Sequence, residues 1–392
     1  MTISTSKRVS AFAFAAAVAF GACSSTGSTP SSSAAPTTAA SQAPADTGGS
    51  AAPSTAGATA PEPASASLTL QGAGATFPTP LYSKWFEDYS AKYANIKIDY
   101  QSIGSGGGIK GITEQTVDFG ASDAAMKDEE IAKLPAGTKI VHIPTALGAV
   151  VVIYNLQGVT DLNLDADNIA GIFLGKIKKW NDPAIAANNS GATLPDKAIL
   201  VAHRSDGSGT TNAFTTYLDT VSPEWHTAVG KGKEVKWPTG VGAQGNDGVA
   251  TAVKQTDGAV GYAELQYAVQ ANLSSAKVKN ADGQFVAGST DGVTAAAEGA
   301  VADFPADFRA NPFINCKGAT AYPIASYTYL LVYQDQKDAD KGKSIVAFMY
   351  WALNDGQAEE NALGYAPLPK EVQDKAIAAL HTFTAGGSPI WP

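Results

Sequence analysis

Residues that carry covalent or metal chemistry are scarce in this chain. It has two cysteines and four histidines among 392 residues. His142, His203, His226 and His381 are scattered and Cys23 stands far from Cys316, so no spacing suits a metal ion. Basic residues are also in short supply, 27 against 36 acidic ones, for a formal charge of −9. That balance excludes the positive surface a nucleic-acid partner needs. An anion held by such a chain must be held by local dipoles and one or two cations, against the field of the whole molecule. Long apolar runs are lacking as well. The run "SAFAFAAAVAFGA" (10–22) falls short of the ~20 residues that cross a bilayer.

That run has another use. Lys7 and Arg8 precede it and Cys23 follows it, the order of an export signal over residues 1–22. "FGAC" resembles a bacterial lipobox, in which the cysteine becomes the lipidated first residue; the alternative is an ordinary signal peptide with a chance cysteine. From 24 to 66 only Gln42, Asp46 and Glu62 are not Ala, Ser, Thr, Pro or Gly. Nothing there can build a core, so 23–66 is expected to be a disordered tether. As a flexible coil it spans about 35 Å. With Cys23 modified, Cys316 has no partner and is expected as a buried free thiol.

The folded body is expected from about Ser67. Its 44% apolar content suffices for a sizeable core. "SLTLQ", "IKIDYQSI", "VDFGASD" and "TKIVHIPTA" read as strands, separated by helical patterns in "PTPLYSKWFEDYSAKYA", "GGGIKGITEQT" and "KDEEIAKL". In the first helix Leu81, Trp85, Tyr89 and Tyr93 recur at intervals of four on one face. A second unit begins with "GAVVVIYNL" and runs through "AILVAHR" to "GAVGYAELQYAV". A loop-rich insertion is expected from about 271 to 320, then the strand "YPIASYTYLLVY" and two final helices. Such alternation predicts an α/β fold with mainly parallel sheets, in which ligands sit beyond the carboxyl ends of the strands.

Four motifs fall at such ends. In "GAGATFP" (72–78) glycines allow close approach, Thr76 offers a hydroxyl and Phe77 an N–H at a helix start. "IGSGGGIKG" (103–111) fails as a nucleotide phosphate loop, because Lys110 follows Ile109 and Gly111 stands where a Ser or Thr would hold magnesium. Ser105 there is an anion donor or a plain helix cap. "DFGASD" ends on Asp123. A carboxylate at an oxyanion site makes sense only if the anion has a proton to give, as phosphate does and sulfate does not; otherwise Asp123 caps a helix near Ala124. In "RSDGSGTT" (204–211), Arg204 and Asp206 alternate on extended backbone and can pair. Ser208, Thr210 and Thr211 then supply hydroxyls at a helix start. As a nucleophile motif it fails, since Asp206 occupies the place of the first glycine in G-x-S-x-G. His203 is expected to point away, on the other strand face.

Taken in order, "GAGATFPTPLYSKW", "YQSIGSGGGIKGI", "TVDFGASDAAM", "LGKIKKWNDPAI", "RSDGSGTT", "VKWPTGVGAQGNDGVA" and "GAVGYAELQYA" closely resemble the periplasmic phosphate-binding proteins of the Pst transport system. The likeness spans nearly the whole folded body, and is poor from about Lys279 to Lys317. It implies a two-domain, type II periplasmic-binding-protein fold, closing by a hinge around a cleft. Domain I would take 67–145 plus 322–392, and domain II 146–321. The resemblance implies phosphate ligands at Thr76, Phe77, Ser105, Asp123, Arg204, Ser208, Gly209 and Thr210, with Asp206 pairing with Arg204. It also implies a monomer that does no catalysis and uses no cofactor, delivering inorganic phosphate to the permease subunits of an ABC importer. It would be held outside the cell membrane by a lipid on Cys23. The alternatives are a phosphatase-like enzyme and a binder of another tetrahedral oxyanion.

Overall fold

Strand β1 (Leu68–Gly74) opens the ordered sheet, and the turn after it carries Pro78 and Pro80 into helix α1 (Thr79–Lys92). Proline suits this first turn because its missing N–H has no partner there in any case. Leu81, Tyr82, Trp85, Phe86 and Tyr89 form the buried face of α1, which includes three of the four residues expected from the spacing; Tyr93 is the cap beyond the helix and is half-buried. Strand β2 (Ile96–Ser102), helix α2 (Ser105–Thr113), strand β3 (Phe119–Ser122) and the single turn α3 (Asp128–Ile131) complete the first half. The protein is described by a computed structural model covering residues 59–392. The expected signal segment, Cys23 and the expected tether as far as residue 58 lie outside these residues.

The expected strands on either side of Gly148 are one. Strand β4 runs for 15 residues, Ile140–Tyr154, buried from His142 onward. An uninterrupted apolar run is what a strand covered on both faces requires. Pro144 is tolerated because pairing is irregular beside it: Tyr329 faces Pro144 and Thr328 faces Ala146, leaving Thr145 as a bulge. The bulge is well satisfied. Thr145 Oγ1 donates to the Thr328 carbonyl at 3.2 Å and bonds the Tyr82 hydroxyl at 2.7 Å, while Gln357 donates to the Thr145 carbonyl at 3.0 Å.

The second half contributes strand β5 (Leu200–Arg204), helix α4 (Gly209–Val221), strand β6 (Val241–Ala243), helix α5 (Gly245–Gln255) and strand β7 (Ala259–Glu264). After it come the short strand β8 (Ser274–Ser275), helix α6 (Thr290–Ala300) and strand β9 (Ala325–Tyr333). Helices α7 (Ala339–Leu353) and α8 (Lys370–Leu380) follow.

The main sheet runs β2-β1-β3-β9-β4-β7-β5-β6, with β8 beside the end of β4. The trio β2-β1-β3 is parallel, and so is β7-β5-β6. Every antiparallel pair in this sheet involves β4 or β9. β9 and β4 thus lie between the two parallel trios.

Three further expectations need correction. The body begins before Ser67: Ala64 is buried, its N–H donates to Ser344 Oγ at 3.2 Å, and Trp391 donates to the Thr59 carbonyl at 3.0 Å. Asn95 holds the carbonyls of Ala64 and Ala66 at 2.8 and 3.1 Å. Residues 59–66 are therefore docked rather than disordered. Their bland composition hid this, because the docking is made by backbone groups.

The stretch 271–320 is likewise not all loop. Ser289 caps α6 by accepting the Gly292 N–H at 3.0 Å, and Val293, Ala296, Ala297 and Ala300 are buried along its inner face. Cys316 is half-buried rather than sunk in the core, its thiol donating to the Ala296 carbonyl of α6 at 3.3 Å.

Candidate functional site

Three strand-to-helix turns and one strand end meet between the two halves of the sheet. The β1–α1 turn brings Thr76 and Phe77, the start of α2 brings Ser105, and the end of β3 brings Asp123. From the other half come Arg204 at the end of β5 and Ser208, Gly209 and Thr210 at the start of α4. Thr76, Ser105, Asp123, Arg204, Ser208 and Thr210 are all buried polar residues. Burial of so many polar groups is tolerable only where they are paired or serve a ligand.

The two halves touch directly. The Gly209 N–H donates to Ser105 Oγ at 3.0 Å, and the Gly106 N–H donates to the Gly207 carbonyl at 2.7 Å. Ser105 is not a helix cap. It is the first residue of α2, Gly104 holds the cap position, and Ser105 Oγ also accepts the Asp123 N–H at 3.2 Å. Asp123 caps nothing either, since the turn after it is closed by Ser122 Oγ on the Ala124 N–H at 3.2 Å. Its carboxylate instead accepts from Thr328 Oγ1 at 2.9 Å and Ser105 Oγ at 3.4 Å. Burial pushes the Asp123 carboxyl up to about 7; the bonds from Thr328 and Ser105 and the charge of Arg204 pull the other way and do not cancel it.

Arg204 is clamped. Its Nε and Nη2 donate to the two oxygens of Asp206 at 2.7 and 2.5 Å, a bidentate pair that fixes the guanidinium plane. Nη1 is turned to Thr210 Oγ1 at 3.4 Å. Asp206 also accepts the Gly245 N–H at 3.0 Å. Burial disfavours its charge, yet the Arg204 bonds and charge outweigh that and hold its pKa below the ordinary value. Tyr262 is stacked on Phe214 at 4.3 Å between centroids. Its hydroxyl takes the Arg204 N–H at 3.2 Å and bonds Thr211 Oγ1 at 2.6 Å, fixing the strand end to the helix start. His203 lies on the opposite strand face, its ring stacked on Trp237 at 4.8 Å.

A pattern runs through the hydroxyls. Ser208 Oγ accepts the Thr211 N–H at 3.0 Å, as a helix cap does. Ser105 Oγ has both lone pairs filled by the N–H groups of Asp123 and Gly209. With both acceptor positions of Ser105 occupied, its proton is the one group left to give, and here it is directed to the Asp123 carboxylate at 3.4 Å. The place where the halves meet thus gathers hydroxyl and N–H groups, one oriented cation and the Asp123 carboxylate. As a hydrolytic site it is poor. The four histidines take other partners, Met126, the Arg204 carbonyl, Asp219 and the Trp391 carbonyl, so none is placed as a base for Ser208. Among the described residues no group of three or more His, Cys, Asp or Glu is placed to hold a metal.

Every anion-site residue expected from the sequence except Phe77 belongs to this network, and Cys23 lies outside the described residues. Phe77 adjoins it through the chain, with its carbonyl accepting from Tyr365 at 2.6 Å. Two participants escaped the sequence reading. Thr328 sits inside an apolar strand, where a β-branched residue needs no further reason. Asn246 lies in the first turn of α5, where asparagine reads as ordinary capping chemistry. In fact its Nδ2 donates to Thr76 Oγ1 at 2.9 Å and Thr210 Oγ1 at 3.2 Å.

Comparison with known proteins identifies the family. The family model of the PBP superfamily domain matches residues 33–356. The chain is 44% identical over 315 residues to the phosphate-binding protein PstS of Pasteurella multocida, covering 79% of this chain and 90% of that protein. It is 38% identical over 323 residues to the PstS of Methanocaldococcus jannaschii, covering 76% and 82%. Among solved structures, a phosphate-binding protein from Stenotrophomonas maltophilia aligns at TM-score 0.63 and 25% identity, over 82% of this chain and 97% of that one. A high-affinity periplasmic phosphate-binding protein solved with phosphate bound shares the fold at TM-score 0.64 and 23% identity, over 79% and 93%.

Proposed function

The chain belongs to the Pst-type phosphate-binding proteins of the periplasmic-binding-protein superfamily, and from that premise we propose that its cleft takes up inorganic phosphate. It does so outside the cytoplasmic membrane and hands the ion to the permease subunits of an ABC importer. The single observation that carries this is the donor-lined cleft with one carboxylate in it. Arg204, oriented by Asp206, and the groups of Thr76, Phe77, Ser105, Ser208, Gly209 and Thr210 donate to the anion's oxygens. Asp123 accepts the proton that phosphate retains at neutral pH. The chain performs no covalent step and needs no cofactor.

Domain I takes 59–145 plus 322–392 and domain II takes 146–321, moving as lobes of one monomer about β4 and β9. A lipid on Cys23 tethers it to the membrane, so Cys23→Ser should move the protein from the membrane fraction to the soluble one.

Calorimetry on protein freed of phosphate tests the central point. Phosphate and arsenate should each bind once per chain and sulfate should bind far more weakly. Sulfate binding as tight as phosphate would instead favour a general oxyanion receptor, and release of phosphate from a phosphomonoester would favour an enzyme.

A further inference from the structure

Asn246 is fully buried in the first turn of α5. Its Oδ1 accepts the Glu264 N–H at 3.1 Å, and that bond decides which way the amide faces. Nδ2 is thereby turned to the cleft, where its two protons meet two threonines: Thr76 Oγ1 at 2.9 Å and Thr210 Oγ1 at 3.2 Å. The main-chain N–H of Asn246 adds a second donation to Thr76 Oγ1 at 3.2 Å.

A hydroxyl has two lone pairs and one proton. Both lone pairs of Thr76 are taken by Asn246. Those of Thr210 are taken by Asn246 and, at 3.4 Å, by Arg204 Nη1. Each hydroxyl keeps only its proton to offer. Thr76 belongs to the first half of the sheet and Thr210 to the second, so one amide sets donors on both walls of the cleft.

We propose that Asn246 is a positioning residue for anion recognition, which makes the hydroxyls of Thr76 and Thr210 obligate donors toward the bound ion and couples them across the cleft. This rests on the phosphate reading above. Asn246 acts through the threonines and need not touch the anion. Its amide is suited to the task because it is neutral: a lysine would add a cation, and an aspartate would take the hydroxyl protons for itself.

The test uses the full chain freed of phosphate, with phosphate affinity read by calorimetry and folding checked by thermal melting. Asn246→Asp should weaken phosphate binding by about a hundredfold, because both hydroxyl protons turn to the new carboxylate and a negative charge joins the site. Asn246→Ala should weaken it by roughly tenfold, and carries the test if the aspartate variant does not fold. The decisive measurement repeats Asn246→Ala in a Thr76→Val, Thr210→Val background. There its cost should shrink to within about twofold, since no hydroxyl is left to orient. An equal cost in both backgrounds would make Asn246 a merely structural amide and overturn the proposal, as would wild-type affinity in Asn246→Asp. A wild-type chain that binds no phosphate would bring down the functional reading, and this proposal with it.

Discussion

Asp123 is the one residue in the cleft that ought to repel an anion, and its surroundings make that repulsion selective. The carboxylate is buried, and its side-chain hydrogen bonds come from Thr328 and Ser105. A protonated phosphate oxygen gives it a donor; sulfate gives it only lone pairs. Asp123→Asn should therefore lower the ratio of sulfate to phosphate dissociation constants by about tenfold or more, since an unpaired buried acceptor facing a charge costs about 1–3 kcal/mol or more. An unchanged ratio, measured by calorimetry at one ionic strength, would place selectivity elsewhere.

The same residue shapes stability against pH. Its carboxyl is raised from 3.8 to about 7 in the folded protein, so it favours the native state fully below the unfolded value and loses that contribution as pH rises toward 7. The melting temperature of ligand-free wild type should fall relative to Asp123→Asn between about pH 4 and pH 7. Here the sequence was legible in part. Asp123 and Arg204 announced themselves as charges at strand ends, whereas Thr328 and Asn246 did not. Their roles depend on partners 205 and 170 positions away in the chain, which no local pattern encodes.

At the scale of elements, the site is made by helix starts pressed against each other. Gly209 opens α4, and a Cβ there would stand 2.5 Å from Asp123 Cβ and 2.7 Å from its Cα. Gly106 opposes Gly207 in the same way, with 3.0 Å between an added Cβ and the Gly207 Cα. These are contacts between halves, so opening the cleft relieves them. Gly209→Ala should thus leave the melting temperature of the empty protein nearly unchanged while weakening phosphate binding by roughly 10- to 100-fold, the cost of overpacking a close contact. Wild-type affinity in that variant would mean the halves do not meet at Gly209 when the ion is bound.

The elements themselves were largely legible, because short strands bounded by glycine turns and amphipathic helices carry clear periods. Where the sequence misled, tertiary pairing had overridden local cues. Pro144 and Gly148 look like strand breakers, yet β4 runs through both because a bulge at Thr145 absorbs the proline and β9 and β7 pair with the remainder. Helix α6 was hidden among glycines and alanines, whose small side chains give a weak periodic signal but bury well.

For the whole molecule, the strongest revision concerns where it begins. Residues 59–66 have the composition of a linker, but they bridge the C-terminal segment, α7 and the head of β2. Thr59 meets Trp391, Ala64 meets Ser344 on α7, and Asn95 at the head of β2 holds two of their carbonyls. Trp391 is itself braced, its ring stacked on His381 at 3.8 Å and edge-on to Tyr350 at 5.1 Å. Removing 59–66 would leave Ser344, Asn95 and the Trp391 indole to find water, and would uncover the pocket that buries Ala64. Each lost hydrogen bond is worth about 1 kcal/mol, less where water takes over. A chain starting at Ser67 should consequently melt measurably below one starting at Thr59, by about 2 °C or less per kcal/mol in a body larger than those for which 2–4 °C applies. Phosphate affinity should be the same in both, because none of these contacts involves the cleft. Equal melting temperatures would return 59–66 to the tether. A loss of affinity with the truncation would instead tie this docked segment to lobe closure, since it bears only on the lobe that carries Thr76, Ser105 and Asp123.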